Sequence, residues 1–543
     1  MQIPFKRVRR VLPLALAVAL LAASCGDDGD GASTDTTVPG ATAGGPTTTV
    51  VETPVVGGEA TALLFSEIGT LDPVKGTGSG GSDGQRMFAI YGALMTLDGN
   101  SGEMKYVQAE SFKLKSPTDA TAWQLKLRPG MKFSDGVAFD ATAVMVNWDR
   151  AKDPANACSC RGDAATIKSM AVVDPLTLDV TLVAPNPHFD KAVERVVLNY
   201  IASPKAIADK VDMTSKPVGA GPFLLEQWIR DDRMVMVRNP DWVGKPGPYL
   251  DKLTFRTVGD EGQRVDTFAT GSADLFYTSV PGSVKAAQDK VKDAYYASVS
   301  VITGQTFLFN TRIAPFDDQR VRQAFVQAVD FKILAQEILN DSVPAEFFTP
   351  PSSPWHNPAA ALPKYDPVNA QKLIDAYVAE KGPIKFTWLA FEQVLDQNRA
   401  KFMQTSLNQL KNITMDIQVN PSAVNINKVI VEKSFQASSW GFPTLDPEPT
   451  LYGAVKTGHA RNYSGYVNAE ADKAVEDARN PAIATDIAAR KKLYDIVFAA
   501  LARDLPYVPY IVTTNGFVCG PKLRGCTTYE DGILRWDLIW KQA

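Results

Sequence analysis

Residues 121–130, TAWQLKLRPG, alternate apolar and polar side chains and stop at Pro129-Gly130; LTLDVTLVAP (176–185) alternates likewise and stops at Pro185. A period of two sends one face toward a core and the other toward water, so both segments predict half-buried strands. Four segments instead repeat apolar residues at helical spacing. They are DATAVMVNWDRAK from Asp140, DQRVRQAFVQAVDFKILAQEIL from Asp318, DPVNAQKLIDAYVAEKG from Asp366 and DIAARKKLYDIVFAALARD from Asp486. Each carries an apolar stripe with a capping residue or breaker at its end, which predicts amphipathic helices. Strands and helices mix throughout, without an internal repeat, so the fold class is α/β or α+β, not a bundle or sandwich.

One glycine-rich segment interrupts this pattern. LDPVKGTGSGGSDGQ (71–85) holds a G-x-G-x-x-G at Gly76, Gly78 and Gly81. A dinucleotide loop needs a strand running into the first glycine, a helix opening within the motif, and an acid about 20 residues on. Here the apolar run ATALLFSEI (60–68) stops well short of Gly76, and Pro73 intervenes. The helix begins after the motif: Ser82 and Gln85 fit a capping box, and Met87, Ile90, Tyr91 and Leu94 follow at helical spacing. Asp98 stands at the right distance but sits in the tight-turn signal LDGN. The segment therefore predicts either a surface loop or a loop whose exposed N–H groups face some other ligand.

The chain opens on a targeting pattern. Lys6, Arg7, Arg9 and Arg10 precede the apolar run VLPLALAVALLAA, too short to span a bilayer comfortably, and small residues then lead to Cys25. That order resembles a bacterial lipobox, with residues 1–24 removed and Cys25 lipidated; Ala22 stands where Leu is usual. Residues 25–58 hold Gly, Thr, Asp, Pro, Ser and Ala with almost no large apolar side chain, and predict a disordered tether. Beyond the leader no apolar run reaches membrane-spanning length. The formal charge is −4. The leader holds four basic residues and the tether five acidic ones (Asp27, Asp28, Asp30, Asp35 and Glu52), which leaves the body nearly neutral and gives nucleic-acid binding no electrostatic support.

Four cysteines remain in a chain that reads as exported, so disulfides are plausible. Cys519–Cys526 is the favoured pair, closing a short loop; Cys158–Cys160 would close a strained C-x-C ring. The three histidines, His188, His356 and His459, lie apart from the cysteines in sequence, which argues against a zinc site. No G-x-S-x-G, H-E-x-x-H or Cys/His pair points to an enzyme. Paired carboxylates leave little sequence trace and remain open. No cofactor is expected.

Five linked blocks resemble one family: the extracytoplasmic solute-binding proteins of ABC importers, family 5, the dipeptide/oligopeptide/nickel-binding group. They are LRPGMKFSDGVAFDATAVMVNWDR (127–150), VGAGPFLLEQW (218–228) with VRNPDWVG, FNTRIAPFDDQRVRQAFVQAVD (309–330), YDPVNAQKLI (365–374) and SSWGFPTLDP (438–447). The resemblance covers the whole body in order. In it, Gly219, Gly221 and Pro222 read as a sharp bend, and Asp317-Asp318 as a cap for the helix carrying Arg320 and Arg322. Those two arginines read as structural ion-pair partners.

The resemblance implies a two-lobed periplasmic-binding-protein-like clamp of class II, with an extra subdomain at about 84–202. Lobe I takes 59–305 plus 505–543, lobe II takes 306–504, and the hinge strands lie near GQTFLFNT and PYVPYIV. It implies a monomer outside the cytoplasm, held at the membrane by its lipid, that passes a peptide or peptide-like solute to an ABC permease. The same clamp could serve a sensor that signals to a membrane partner. Thr77, Gly78 and Ser79 match a segment that lines the cleft in the family's peptide binders. Trp440, Gly441, Phe442 and Asp446 belong to the expected opposite wall. Those binders usually carry an aspartate three residues after the tryptophan, paired with the peptide's ammonium. Pro443 stands there instead, so another acid such as Asp446 or Glu392 would have to substitute, or zwitterionic dipeptides bind poorly.

Overall fold

The two alternating segments form strands Asp119–Leu127 and Thr177–Leu182 and pair with each other in an antiparallel four-stranded sheet. The computed structural model describes residues 53–542, apart from 77–79, 100, 245–246, 303, 340–341 and 442–443. Cys25 and the expected leader lie outside the described residues, as do Thr77, Gly78, Ser79, Phe442 and Pro443. The outer strands of the four-stranded sheet are Ala109–Ser116 and Ile167–Asp174. Its inward side chains Phe112 and Trp123 meet Trp148 of helix Ala141–Lys152 and Phe189 in a core of their own.

A larger mixed sheet is built around strand Glu59–Leu64, whose Ala62, Leu63 and Leu64 are fully buried. It lies parallel to Lys252–Thr257 on one side and to Leu275–Thr278 on the other, with Ala62 between Phe255 and Leu275. Arg233–Arg238 and Phe223–Ile229 extend one edge; Ile511–Cys519 and Tyr295–Val301 extend the other. Helix Asp83–Tyr91 shares its core through Met87, Phe88 and Tyr91, against Phe255, Phe517 and Trp536. A five-stranded sheet stands apart, in the order Ile413–Asn420, Ile384–Phe391, Ala437–Trp440, Thr306–Phe309, Tyr507–Pro509. Its core is aromatic: Phe307 stacks on Tyr510 with ring centroids 4.4 Å apart, and Phe325 stacks on Trp388 at 5.7 Å. The chain leaves the large sheet at Val301, enters the smaller at Thr306, and returns between Pro509 and Ile511.

Helices Ala141–Lys152, Pro367–Lys381 and Ile487–Asp504 start where the pattern places them, with Asp140, Asp366 and Asp486 each accepting a backbone N–H at 2.9 Å. The segment from Asp318 differs. It forms Gln319–Ala328, breaks, and restarts at Phe331, because the Asp330 carboxylate accepts the N–H groups of Lys332 and Ile333 and caps a second helical turn. Arg320 pairs with Asp318 and Glu380, and Arg322 donates to the carbonyls of Phe316 and Asp504. Both have structural partners.

The capping box at Ser82 and Gln85 does not form. Ser82 Oγ donates to the carbonyl of Ser66 instead, at 2.8 Å. Gln85 is buried and ties the helix to the C-terminal segment: its Nε2 donates to Gly532 O, and its Oε1 accepts from Leu534 N and Trp536 Nε1. Both expected cysteine pairs are brought together. Cys158 and Cys160 are bonded, their Cα atoms 5.1 Å apart and so within ordinary disulfide reach. Cys519 and Cys526 also meet, with sulfurs 2.8 Å apart.

Gly221 serves a close approach as much as a bend. A Cβ there would lie 2.5 Å from the carbonyl carbon of Ile90, at the end of helix Asp83–Tyr91, and its own N–H donates to Ile90 O at 2.9 Å. Gly221→Ala should therefore cost about 1–3 kcal/mol by overpacking. Gly162→Ala, where a Cβ meets nothing within 4 Å, should be nearly neutral. Denaturant unfolding of the two variants side by side checks this.

Candidate ligand-binding cleft

Between the large and the five-stranded sheets lies a cavity of about 750 Å³. Large-sheet elements supply Tyr277 and Thr278 from one strand, Thr513 and Asn515 from the next, Glu261 and Arg264 from helix Glu261–Ala269, and Asp531. The other wall is Gln305, Gln393, Leu395, Arg399 and Gly441. A second cavity of about 490 Å³ shares all five of these and continues among Phe391, Ile426, Ile430, Ser439 and Trp440. The two together make a groove with a polar end and an apolar end.

Trp440 stands at the end of strand Ala437–Trp440, half-buried, its ring 5.8 Å from Tyr463 and 6.2 Å from Phe391. Gly441 follows it and lines both cavities. Two buried hydroxyls on the walls, Ser439 Oγ and Thr513 Oγ1, have no hydrogen-bond partner among the described residues. Buried polar groups are normally satisfied, so unpartnered ones on a cavity wall suit a polar ligand.

The charges in the groove are mostly paired. Glu261 holds Arg264, and Asp396 holds Arg399, which also bonds the hydroxyl of Tyr510. Asp531 differs: Gly81 N–H donates to it at 3.2 Å and Asn515 Nδ2 donates to its other oxygen, but among the described residues no cation pairs with it. Burial, only partly offset by Arg195, raises its pKa to about 6. Gly81 is a glycine because the Tyr277 ring occupies the place of its Cβ, 2.0 Å from the ring carbon. Strand Glu59–Leu64 ends well before Gly76, which closes a short 3₁₀ turn at Pro73–Lys75, so no strand feeds the glycine motif.

The family model of bacterial extracellular solute-binding proteins, family 5 Middle, matches residues 104–462. The chain belongs to this family. The glutathione-binding protein GsiB of Escherichia coli (strain K12) is 28% identical over 479 residues, covering 84% of this chain and 89% of GsiB. Among solved structures, the oligopeptide-binding protein AppA from Bacillus subtilis, in complex with a nonapeptide, superposes with a TM-score of 0.73 at 20% identity, over 90% of this chain and 100% of AppA. The binding protein AgaA from A. tumefaciens R10, in complex with agropinic acid, gives 0.73 at 22% identity, over 90% of this chain and 99% of AgaA. The fold is the family's two-lobed α/β clamp.

Asp446 lines neither cavity. It is buried, and Arg490 grips it with two bonds of 2.8 and 2.5 Å while Lys191 reaches it at 2.6 Å. Burial pushes its carboxyl up, but Arg490 and Lys191 outweigh burial and hold it far below the usual carboxylate range. Two residues on, Glu448 is gripped in the same bidentate way by Arg479, at 3.0 and 2.8 Å, and accepts from Tyr494 OH at 3.0 Å. The segment after Trp440 is therefore anchored by two arginines, Arg490 buried and Arg479 partly exposed. Glu392, the other expected acid, is exposed and lines neither cavity.

Lys191 comes from helix Phe189–Arg195, which packs in the four-stranded sheet's core, so the Asp446 cluster joins that unit to the five-stranded one. Arg461–Asp163 at 2.8 Å and His188 Nε2 at 3.3 Å from Ala478 O join the same two units. Sequence reasoning missed Lys191 and Arg490 because ion-pair partners 255 and 44 residues distant leave no local pattern.

Asp446→Asn leaves two buried cations without their counter-charge and should destabilise the protein by about 3–5 kcal/mol. A carboxylate with a depressed pKa contributes stability above its unfolded value and loses it only as pH falls through the folded value. Thermal melts of wild type and variant should thus stay well separated from neutral pH down to about pH 5.

Proposed function

We propose that this chain is a lipid-anchored extracytoplasmic receptor. It captures a peptide or peptide-like small solute between its lobes and delivers it to the permease of an ABC importer. The groove between the two sheets carries this reading: it has an aromatic wall, unpartnered hydroxyls, and a volume in the range of small-molecule sites of about 300–1,000 Å³. The ligands named for the relatives, glutathione, a nonapeptide and agropinic acid, support a solute of that general chemistry.

In this reading lobe I comprises 59–305 plus 505–543, with the subdomain at about 84–202, and lobe II comprises 306–504. The lobes close on the solute by a hinge motion, driven by tighter binding to the closed state. Trp440 and Gly441 form one wall. On the other side, Gly81 N–H binds the cavity-lining Asp531. Cys25 carries the lipid.

The chain, purified without refolding and sprayed first native and then denatured in a mass spectrometer, should release a small molecule containing amide bonds. A released molecule without them would contradict the peptide-like reading; an empty protein that also retains nothing from a peptide panel would contradict solute capture. Trp440→Ala should weaken retention of the released solute by about ten- to a hundredfold, the value of one large apolar contact.

A further inference from the structure

We propose that Asp531 receives the protonated amine of the solute, so that this receptor selects solutes with a free ammonium group through its C-terminal segment. The inference rests on the peptide-like reading above and deepens it. The charges on the groove walls carry it. Arg264 is neutralised by Glu261 and Arg399 by Asp396, each within its own helix. Asp531 is the one carboxylate on the walls that the described cations leave unpaired, and it is half-buried at the polar end of the cavity. Its donors, Gly81 N–H and Asn515 Nδ2, are neutral and fix the carboxylate in place without cancelling its charge. A positioned, uncompensated anion in a desolvated groove attracts a cation and disfavours a neutral or anionic group at the same place. The acids expected from sequence do not compete, since Asp446 is spent on Arg490 and Lys191, and Glu392 lines neither cavity.

The groups around Asp531 leave it as the titrating one. Arg195 is engaged by the adjacent Glu530 at 2.9 Å. Tyr277 donates its hydroxyl to the backbone carbonyl of Asp531 at 3.2 Å, and burial keeps that hydroxyl protonated. Glu261 and Arg264 satisfy each other. Glu194 is held up by burial and by Glu530, but it accepts from Leu97 N–H and lines neither cavity. With a pKa raised to about 6, Asp531 is ionised at pH 7.5 and largely protonated at pH 5. The free protein therefore gains from protonation in mild acid, whereas an ammonium ligand must displace that proton.

The test uses the full-length chain, wild type and Asp531→Asn, with two probe mixtures: random tripeptides with free amines, and the same mixture N-acetylated. Peptides retained after gel filtration are counted by mass spectrometry. Wild type should keep free-amine members at least about tenfold over acetylated ones at pH 7.5. That preference should fall about tenfold at pH 5, as expected for a group titrating near pH 6. Asp531→Asn should retain both mixtures equally. Its melting temperature reports whether it is folded, and the pH dependence of the wild type stands without the variant. Equal retention of the two mixtures by wild type, or a preference that survives in a folded Asp531→Asn, overturns the assignment and leaves the receptor reading standing. Retention of neither mixture overturns the peptide-like reading, and the assignment with it.

Discussion

The chain passes between its two main sheets by short connections at 301–306 and at 509–511, and in between only the two-residue strand Val343–Pro344 among the described strands returns to pair with the large sheet, at Ile511 and Val512. Each sheet must therefore complete a hydrophobic core on its own, one around Phe255, Phe517 and Trp536, the other around Phe307, Phe325 and Trp388. Two finished cores meeting at a polar boundary leave a groove that neither core needs to fill. Domain-interface clefts of this kind are where small-molecule sites usually lie.

Two kinds of acid at the contacts between the units behave differently. Asp446 and Glu448 are each clasped by an arginine, and their charges serve to fix the segment after Trp440. Among the described residues Asp531 meets only neutral donors. The first kind raises the cost of disturbing the wall; the second leaves a charge available to a solute. Burial alone does not distinguish them, but their partners do.

Much of the fold was readable in the sequence because its signals are local. Alternation gave strands 119–127 and 177–182, and aspartate caps gave the starts at Asp140, Asp366 and Asp486. The break at Asp330 was missed because the apolar spacing continues through it, while the decisive event is one carboxylate turning to cap a new turn. Ser82 and Gln85 had the spacing of a capping box, but Ser66 and the segment 532–536 offered them long-range partners. In the groove, Trp440 and Gly441 were legible from the family pattern. Asp531 was not: it is the aspartate of a YED turn near the C-terminus, and only tertiary structure brings it to Gly81 and Asn515.

On this reading a solute bound in the groove draws the two lobes together. Solution X-ray scattering on the protein with its solute bound, and again after the solute is stripped and calorimetry on the same sample confirms rebinding, tests it most directly. The loaded state should have the smaller radius of gyration, reversed on stripping. Superimposable curves for loaded and stripped protein would contradict it.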